Sequence, residues 1–290
     1  MHATAVILEE PGRLALGSLP LDPAGPDDVL VEVAYSGIST GTEKLLVTGE
    51  MPPFPGLGYP LVPGYESVGR VLQGAGGLAE GDMVFVPGAR CFGPVRGLFG
   101  ATASHVVLPA ERAVPIPATM GEEGVLIALA ATAHHALFDR GALALPDLII
   151  GHGVLGRLIA RIACALGGAP VVHEIDTTRR AGATGYSVSA PEDDQGRYGC
   201  ILDASGADGI LDTAMTRLAK GGEIVLAGFY AKPVSFVFPP AFMKEARIRI
   251  AAEFTPDDLA AVTALVAEGR LSLGGLVTHS TPSANAPAAY

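Results

Sequence analysis

From His2 to Thr119 the apolar positions come in short, β-branched runs. "HATAVILEE", "DVLVEVAYSGI", "ESVGRVLQ", "GDMVFVPG" and "SHVVLPAERAVPIP" are separated by Gly, Pro and Asp. Runs of this length with such punctuation predict strands joined by tight turns, hence a compact β barrel or sandwich. After Thr119 the rhythm changes. "EEGVLIALAATAHHALFD" has helical spacing, "PDLIIG" reads as a strand, "RLIARIACALGG" as a helix and "APVVHEID" as a strand. "YGCILDASG" and "GGEIVLAGFY" repeat the strand pattern around a helical "ADGILDTAMTRLAK". Strands alternating with helices predict a parallel sheet covered on both faces, the doubly wound arrangement. The tail holds one clear helix, "TPDDLAAVTALVAEG", capped by Thr255 with acids in its first turn. The expected layout is a β-rich domain over 1–119, a doubly wound α/β domain over 120–254 and a C-terminal segment over 255–290.

Composition narrows the function. Hydrophobic residues make up 49% and charged residues 17%, which fits a packed globular chain and argues against disorder. The 38 glycines and 23 prolines suit many tight turns. A net charge of −11 disfavours a nucleic-acid binder. Cys91, Cys164 and Cys200 are far apart, and no C-x-x-C pair supports a disulfide framework or a cysteine zinc lobe. The opening "MHATAVILEEPGRLAL" carries acids where a secretory leader needs bases and a long apolar run. The most apolar stretch is interrupted by His152, Arg157 and Arg161, unlike a membrane span. A reducing cytoplasm is the simplest compartment, and peripheral membrane contact stays open.

The strongest chemical signal is Gly151-His152-Gly153-Val154-Leu155-Gly156, a G-x-G-x-x-G motif between a strand and a helix. Gly151 allows the tight turn, Gly153 lets the backbone approach a pyrophosphate, and Gly156 lets helix and strand pack closely. The helix N-terminus then offers free N–H groups to the phosphates. An acid should follow on the next strand to take the ribose hydroxyls. Glu174 and Asp176 both fit, and Glu174 is favoured because it ends the apolar run. A carboxylate there repels a 2′-phosphate, so NAD is expected over NADP; the nearby Arg179 and Arg180 weigh the other way. Ser205 and Gly228 complete the expected cofactor-binding set.

A β-rich unit before a dinucleotide fold, with "SGISTGTE" (36–43), "PGYESVGRV" (63–71), "GDMVFVPG" (81–88), "AATAHHAL" (130–137) and "LAKGGEIVLAGFY" (218–230), resembles the medium-chain dehydrogenase/reductase superfamily. Its first domain is GroES-like. "GISTGTEKLL", "MPPFPGLGYPLVPGYE", "RGLFG", "GHGVLGRL" and "FPPAFMKEAR" together resemble the 3-hydroxyethyl bacteriochlorophyllide a dehydrogenase family of bacteriochlorophyll synthesis. That resemblance implies oxidation of a hydroxyethyl group on a large, flat, magnesium-bearing tetrapyrrole to acetyl, with NAD as acceptor. It also implies that Thr132 and Leu155 flank the nicotinamide, and by analogy a homodimer. The superfamily normally closes with a further helix and strand returning to the first domain, and the tail at "NAPAAY" looks short against that pattern.

In zinc-using relatives the metal ligands would fall at Ser39, Tyr65 and near Ala128, none a good zinc ligand. A zinc-independent enzyme is therefore expected, and it needs a positioned base or relay for the alcohol proton. Tyr65 is a candidate acceptor if a neighbouring charge adjusts its pKa. Ser39, Thr40 and Thr42 could relay the proton; Glu43 and Glu66 could orient or accept it. His135 or His134 could face the cofactor, but only one of the two, since adjacent helical residues point apart. Tyr65 as mere filler of the metal's space is the competing reading. For the substrate, Met51, Phe54 and Tyr59 in "GEMPPFPGLGYPLVPG" offer an apolar wall, or else a rigid loop packed on its own domain. Arg90 and Arg96 offer partners for a propionate. Two other functions fit the same motifs: a zinc-free quinone or enone reductase, and a non-catalytic dinucleotide-binding scaffold or sensor.

Overall fold

The alternation in "HATAVILEE" becomes a strand, His2–Glu10, that turns at Pro11-Gly12 and pairs antiparallel with Arg13–Pro20. Gly12 takes φ +79°, a conformation that suits glycine in so tight a turn. The computed structural model describes residues 1–53, 55–139, 141–230 and 232–290. Two units emerge, one of Met1–Ala128 with Gly274–Tyr290, the other of Leu129–Leu273.

In the first unit, a five-stranded antiparallel sheet runs in the order His105–Pro109, Asp28–Ser36, Ser67–Gln73, Met83–Val86, Val114–Pro115. A four-stranded sheet runs Arg13–Pro20, His2–Glu10, Leu61–Pro63, Arg96–Leu98. Val29, Val31, Val71, Val84, Val86 and Val106 are fully buried in the core of this unit. Asp28–Ser36 begins with alternating burial because one face meets that core, whereas Ser67–Gln73, Met83–Val86 and His105–Pro109 each bury three residues in a row.

The second unit is a six-stranded parallel sheet. Its order is Ser187–Ser189, Val171–His173, Leu148–Ile150, Tyr198–Asp203, Leu218–Leu226, Arg247–Ile250. Counted along the unit, that order is 3-2-1-4-5-6, with the direction of winding reversing between Leu148–Ile150 and Tyr198–Asp203. This is the Rossmann order, and ligands bind such sheets at the carboxyl ends of the strands beside that reversal. Leu148, Ile201, Leu218 and Ile224 are fully buried, each contributing about 1.5–3 kcal/mol by leaving water.

The unit boundaries differ from the sequence-based ones at 119 and 255. The 3₁₀ segment Ala118–Leu126 packs on the first unit, where a Cβ at Gly124 would lie 2.8 Å from Val68 and 3.0 Å from Ile116. The break therefore comes after Ala128, inside helix Ile127–Ala136. The helix Pro256–Ala267 stays with the second unit because Asp258 bonds both His134 and His135. Only Gly274–Tyr290 groups with the first unit. No helix among the described residues is long and apolar enough to cross a membrane.

Candidate active site

Two motifs distant in sequence meet because strands Asp28–Ser36 and Ser67–Gln73 pair with Ser36 opposite Ser67. That register puts "GISTGTE", which follows the first strand, beside "GYE", which precedes the second. The Gly37 N–H donates to the Glu66 carbonyl at 2.7 Å, fixing the junction. A Cβ on Gly37 would lie 2.5 Å from Glu66 Oε2, so glycine there makes room for the carboxylate. Gly64, at φ +104°, has Thr102 against its Cα, and a side chain there would strike it.

Five of the six candidate catalytic residues come together at this junction. Ser39, Thr42, Glu43, Tyr65 and Glu66 interact with one another inside the first unit. Glu43 sits on the short helix Thr42–Thr48 and is 1% exposed; Glu66 is 3% exposed. The Ser39 N–H donates to Glu43 Oε2 at 2.5 Å. Burial pushes the Glu43 carboxyl up to about 8, against the Ser39 amide and the Tyr290 hydroxyl, which favour its charge. Burial, and then the Glu43 charge, push Glu66 well above the usual carboxylate range. Glu66 Oε1 is buried without a hydrogen-bond partner among the described residues. A buried oxygen left in that state is costly as an anion and points to the protonated form.

Tyr65 packs edge-on against Phe99, ring centroids 5.3 Å apart at 76°. Burial raises its pKa far above that of a free phenol, and the charges of Glu66 and Glu43 add to the effect; the Ser39 and Thr42 hydroxyls oppose it. This corrects the expectation that a neighbouring charge would make Tyr65 an acceptor. Its neighbours are acids, which oppose a phenolate. Tyr65 therefore stays a hydroxyl, able to pass one proton on while receiving another.

Sequence reasoning missed Tyr290 and Thr102. The Tyr290 hydroxyl lies 3.4 Å from Glu43 Oε1 and 3.3 Å from Thr102 Oγ1. Neither residue stands in a motif, and nothing local in the sequence signals that a distant tyrosine enters the cluster.

The cofactor candidates lie in the second unit. Helix Val154–Ala165 starts at Gly153 with no side-chain cap, and the Gly151 turn at φ +99° precedes it. A Cβ on Gly151 would lie 3.1 Å from the Ser205 backbone, and one on Gly228 would lie 3.2 Å from Gly206 N. Gly151, Ser205 and Gly228 thus gather at the carboxyl ends of three neighbouring strands. A Cβ on Gly156 would collide with the Gly151 carbonyl, whereas one on Gly153 would meet nothing within 4 Å. Glu174 is 6% exposed; its Oε2 accepts the His152 N–H at 2.8 Å and its Oε1 the Asp176 N–H at 2.9 Å. Each oxygen retains a second lone pair. His152 bonds the Arg179 carbonyl through Nδ1 at 2.6 Å and the Tyr186 hydroxyl through Nε2 at 2.8 Å. Burial holds its pKa below the usual value, so the neutral ring donates at Nδ1 and accepts at Nε2. Arg157 adds bonds to the carbonyls of His152, Arg179 and Ala181, tying the loop that carries Arg179 to the glycine turn. The Arg179 side chain itself is exposed, 3.6 Å from Asp176.

His135 belongs to the second unit, and its Nδ1 is 2.8 Å from Asp258 Oδ2. His134 reaches the other oxygen of the same carboxylate at 2.7 Å. The Asp258 carboxylate thus offers one oxygen to each of the two adjacent histidines. Asp258 also closes a capping box with Thr255. Burial raises its pKa, but bonds from Thr255, His134 and His135 outweigh this and hold it at about 2.

The proposed apolar wall packs on its own unit instead. Met51 is 8% exposed and shares a core with Leu8, Leu46, Leu61 and Leu98; Tyr59 packs on that cluster and donates to the Leu46 carbonyl at 2.9 Å. Phe54 lies outside the described residues. Arg90 is exposed, and the exposed Arg96 donates to the Leu57 carbonyl at 3.1 Å, which braces the same loop.

Residues 25–118 match the alcohol dehydrogenase GroES-like domain. Across its whole length the chain is 56% identical to 2-desacetyl-2-hydroxyethyl bacteriochlorophyllide A dehydrogenase of Cereibacter sphaeroides, over 94% of that protein. The enzyme of the same name from Rhodobacter capsulatus is also 56% identical, with the same coverage. The chain belongs to this dehydrogenase family. It is an oxidoreductase of the medium-chain dehydrogenase/reductase superfamily. The fold agrees: L-idonate 5-dehydrogenase from Escherichia coli superposes with a TM-score of 0.86 at 19% identity, covering 100% of this chain and 94% of that one. In this chain, the junction of "GISTGTE" and "GYE" carries Ser39 and Tyr65.

Proposed function

We propose that the chain oxidises the 3-hydroxyethyl group of a bacteriochlorophyllide to acetyl, with NAD as hydride acceptor and no zinc ion. The observation that carries this reading is the full-length 56% identity to two enzymes named for that substrate. The proton-handling cluster supports it. NAD, when bound, supplies the hydride acceptor. The residues present suit it: open space above Gly153, an uncapped helix N-terminus for the phosphates and the Glu174 carboxylate for the ribose. They do not suit zinc. Ser39, Tyr65 and Ala128 supply neither thiolate nor imidazole, and no group of three His, Cys, Asp or Glu among the described residues could hold a metal ion.

The alcohol proton then needs a protein acceptor. In this reading the Tyr65 hydroxyl relays it, with Ser39 and Thr42 beside it, and Glu43 receives it. A carboxyl at about 8 is mostly protonated at neutral pH and becomes a base above that value. Oxidation should therefore accelerate as the pH rises through about 8, the sign expected when the acceptor must be ionised.

The test is turnover of NAD with 3-hydroxyethyl bacteriochlorophyllide, with and without a strong zinc chelator. Reduced cofactor and a red-shifted pigment should appear together, unaffected by chelator. Activity lost to chelator and restored by zinc would overturn the metal-free route.

A homodimer also has support. Arg247–Ile250 is an edge strand; its own Ile250 and Phe238, Phe242 and Met243 of helix Phe238–Lys244 are 64–74% exposed. An open sheet edge flanked by apolar side chains suits a second copy of the chain. Sedimentation at micromolar concentration should show a dimer that Ile250→Lys converts to monomer; a wild-type monomer would refute it.

A further inference from the structure

Four hydroxyls of the first unit form one line. Ser67 Oγ lies 2.8 Å from the Ala101 carbonyl oxygen and 3.1 Å from Ser36 Oγ. Ser36 Oγ lies 3.0 Å from Thr102 Oγ1, which lies 3.3 Å from the Tyr290 hydroxyl. The Tyr290 hydroxyl lies 3.4 Å from Glu43 Oε1. Ser67 is fully buried, Thr102 is 7% exposed and Glu43 1%.

The ends of this line differ chemically. The Ala101 oxygen only accepts. The Glu43 carboxyl accepts when ionised and donates when protonated. Each hydroxyl between them carries a single proton. Two arrangements keep the whole line bonded. With Glu43 protonated, Glu43 donates to Tyr290, Tyr290 to Thr102, Thr102 to Ser36, Ser36 to Ser67, and Ser67 to the Ala101 oxygen. With Glu43 ionised the order reverses, from Ser67 through Ser36, Thr102 and Tyr290 to the carboxylate. The Ala101 oxygen then keeps the Ala103 N–H at 3.0 Å. In neither arrangement is a buried hydroxyl proton left unpaired, an outcome that would otherwise cost about 1–3 kcal/mol.

We propose that Tyr290 couples Glu43 to this line, so that gain or loss of the Glu43 proton is answered by reversal of four hydroxyls. Tyr290 is thus a positioning residue that sets the pH at which the cluster takes the alcohol proton. The role in turnover rests on the proposed oxidation; the coupling itself does not. The other groups acting on Glu43 are Glu66 and Tyr65, whose interactions with it are electrostatic, and the Ser39 amide, which bonds its other oxygen. Tyr290 is the hydroxyl on Oε1. Its bond favours the ionised carboxyl, opposing burial.

The experiment is an infrared pH titration of the purified full chain. The protonated-carboxyl C=O band that disappears in Glu43→Gln reports Glu43 without any assay of activity. In Tyr290→Phe this band should persist to a pH about one to two units higher, as expected for loss of one hydrogen bond to a charged group. Thr102→Val should move it the opposite way, to lower pH, because Tyr290 then finds an acceptor for its proton only while Glu43 is ionised. The alkaline rise in kcat should follow the band, with the Michaelis constants little changed. A merely structural Tyr290 would lower the melting temperature and leave the titration where it was. An unmoved band in both variants overturns the proposal. Failure of the wild type to oxidise the pigment would instead overturn the proposed reaction, and the titration would still decide the coupling.

Discussion

Gly153→Ala should leave the chain folded and as stable as the wild type, yet weaken NAD binding by roughly ten- to a hundredfold. The companion variant Gly156→Ala should lose both. The two glycines stand three residues apart in one motif, but the structure gives them different reasons to exist. A Cβ on Gly156 would strike the Gly151 carbonyl, part of the turn itself. Backbone cannot swing aside as a side chain can, so helix Val154–Ala165 must shift away from strand Leu148–Ile150. A Cβ on Gly153 would meet no atom of the chain within 4 Å. Nothing in the fold requires glycine there, and the proposed pyrophosphate is what would. Fluorescence titration with NAD, paired with thermal melts, separates the two effects. Unchanged NAD affinity in a folded Gly153→Ala protein would mean that the cofactor does not pass over this turn.

Tyr65→Phe should lower kcat by roughly two to four orders of magnitude with little change in either Michaelis constant. The ring and its edge-on contact with Phe99 are kept, so packing survives and the melting temperature should barely move. What disappears is a hydroxyl that Ser39, Thr42 and Glu66 address. The loss acts twice: the relay is cut, and Glu66 loses the group that favours its charged form, so it holds its proton more tightly still. Full turnover with the wild-type pH dependence would reduce Tyr65 to a filler of the space a metal occupies elsewhere. A raised Michaelis constant with normal kcat would assign it to binding alone.

The fold was largely legible in the sequence because periodicity is a local property. Alternation in "HATAVILEE" and "DVLVEVAYS" gave strands, and helical spacing in "RLIARIACA" gave a helix, since each buries one face against whatever lies next to it. The glycine motif was legible for a similar reason: a tight turn between strand and helix constrains residues only a few positions apart. The short strands Leu61–Pro63 and Arg96–Leu98 were not, because three residues carry no period, and they exist only through pairing with each other and with His2–Glu10. Met51 and Tyr59 looked like a free apolar wall, because composition cannot say which apolar loop finds a core on its own unit.

The chemistry of the junction divides along the same line. The sequence by itself determined that serine, tyrosine and two acids stand in the two motifs and that a glycine-rich strand-to-helix turn follows. Tertiary structure alone decided what those acids are. The pairing of Ser36 with Ser67 brings Glu43 and Glu66 into one buried place, where burial raises both, the Glu43 charge raises Glu66 further, and both charges oppose ionisation of the Tyr65 hydroxyl. It decided that His134 and His135 share Asp258, a residue more than a hundred positions away. It also brought Tyr290 to Glu43 across 247 positions. Proton affinity depends on burial and on neighbouring charge, and both are set by residues distant in sequence, so only the folded chain holds that information.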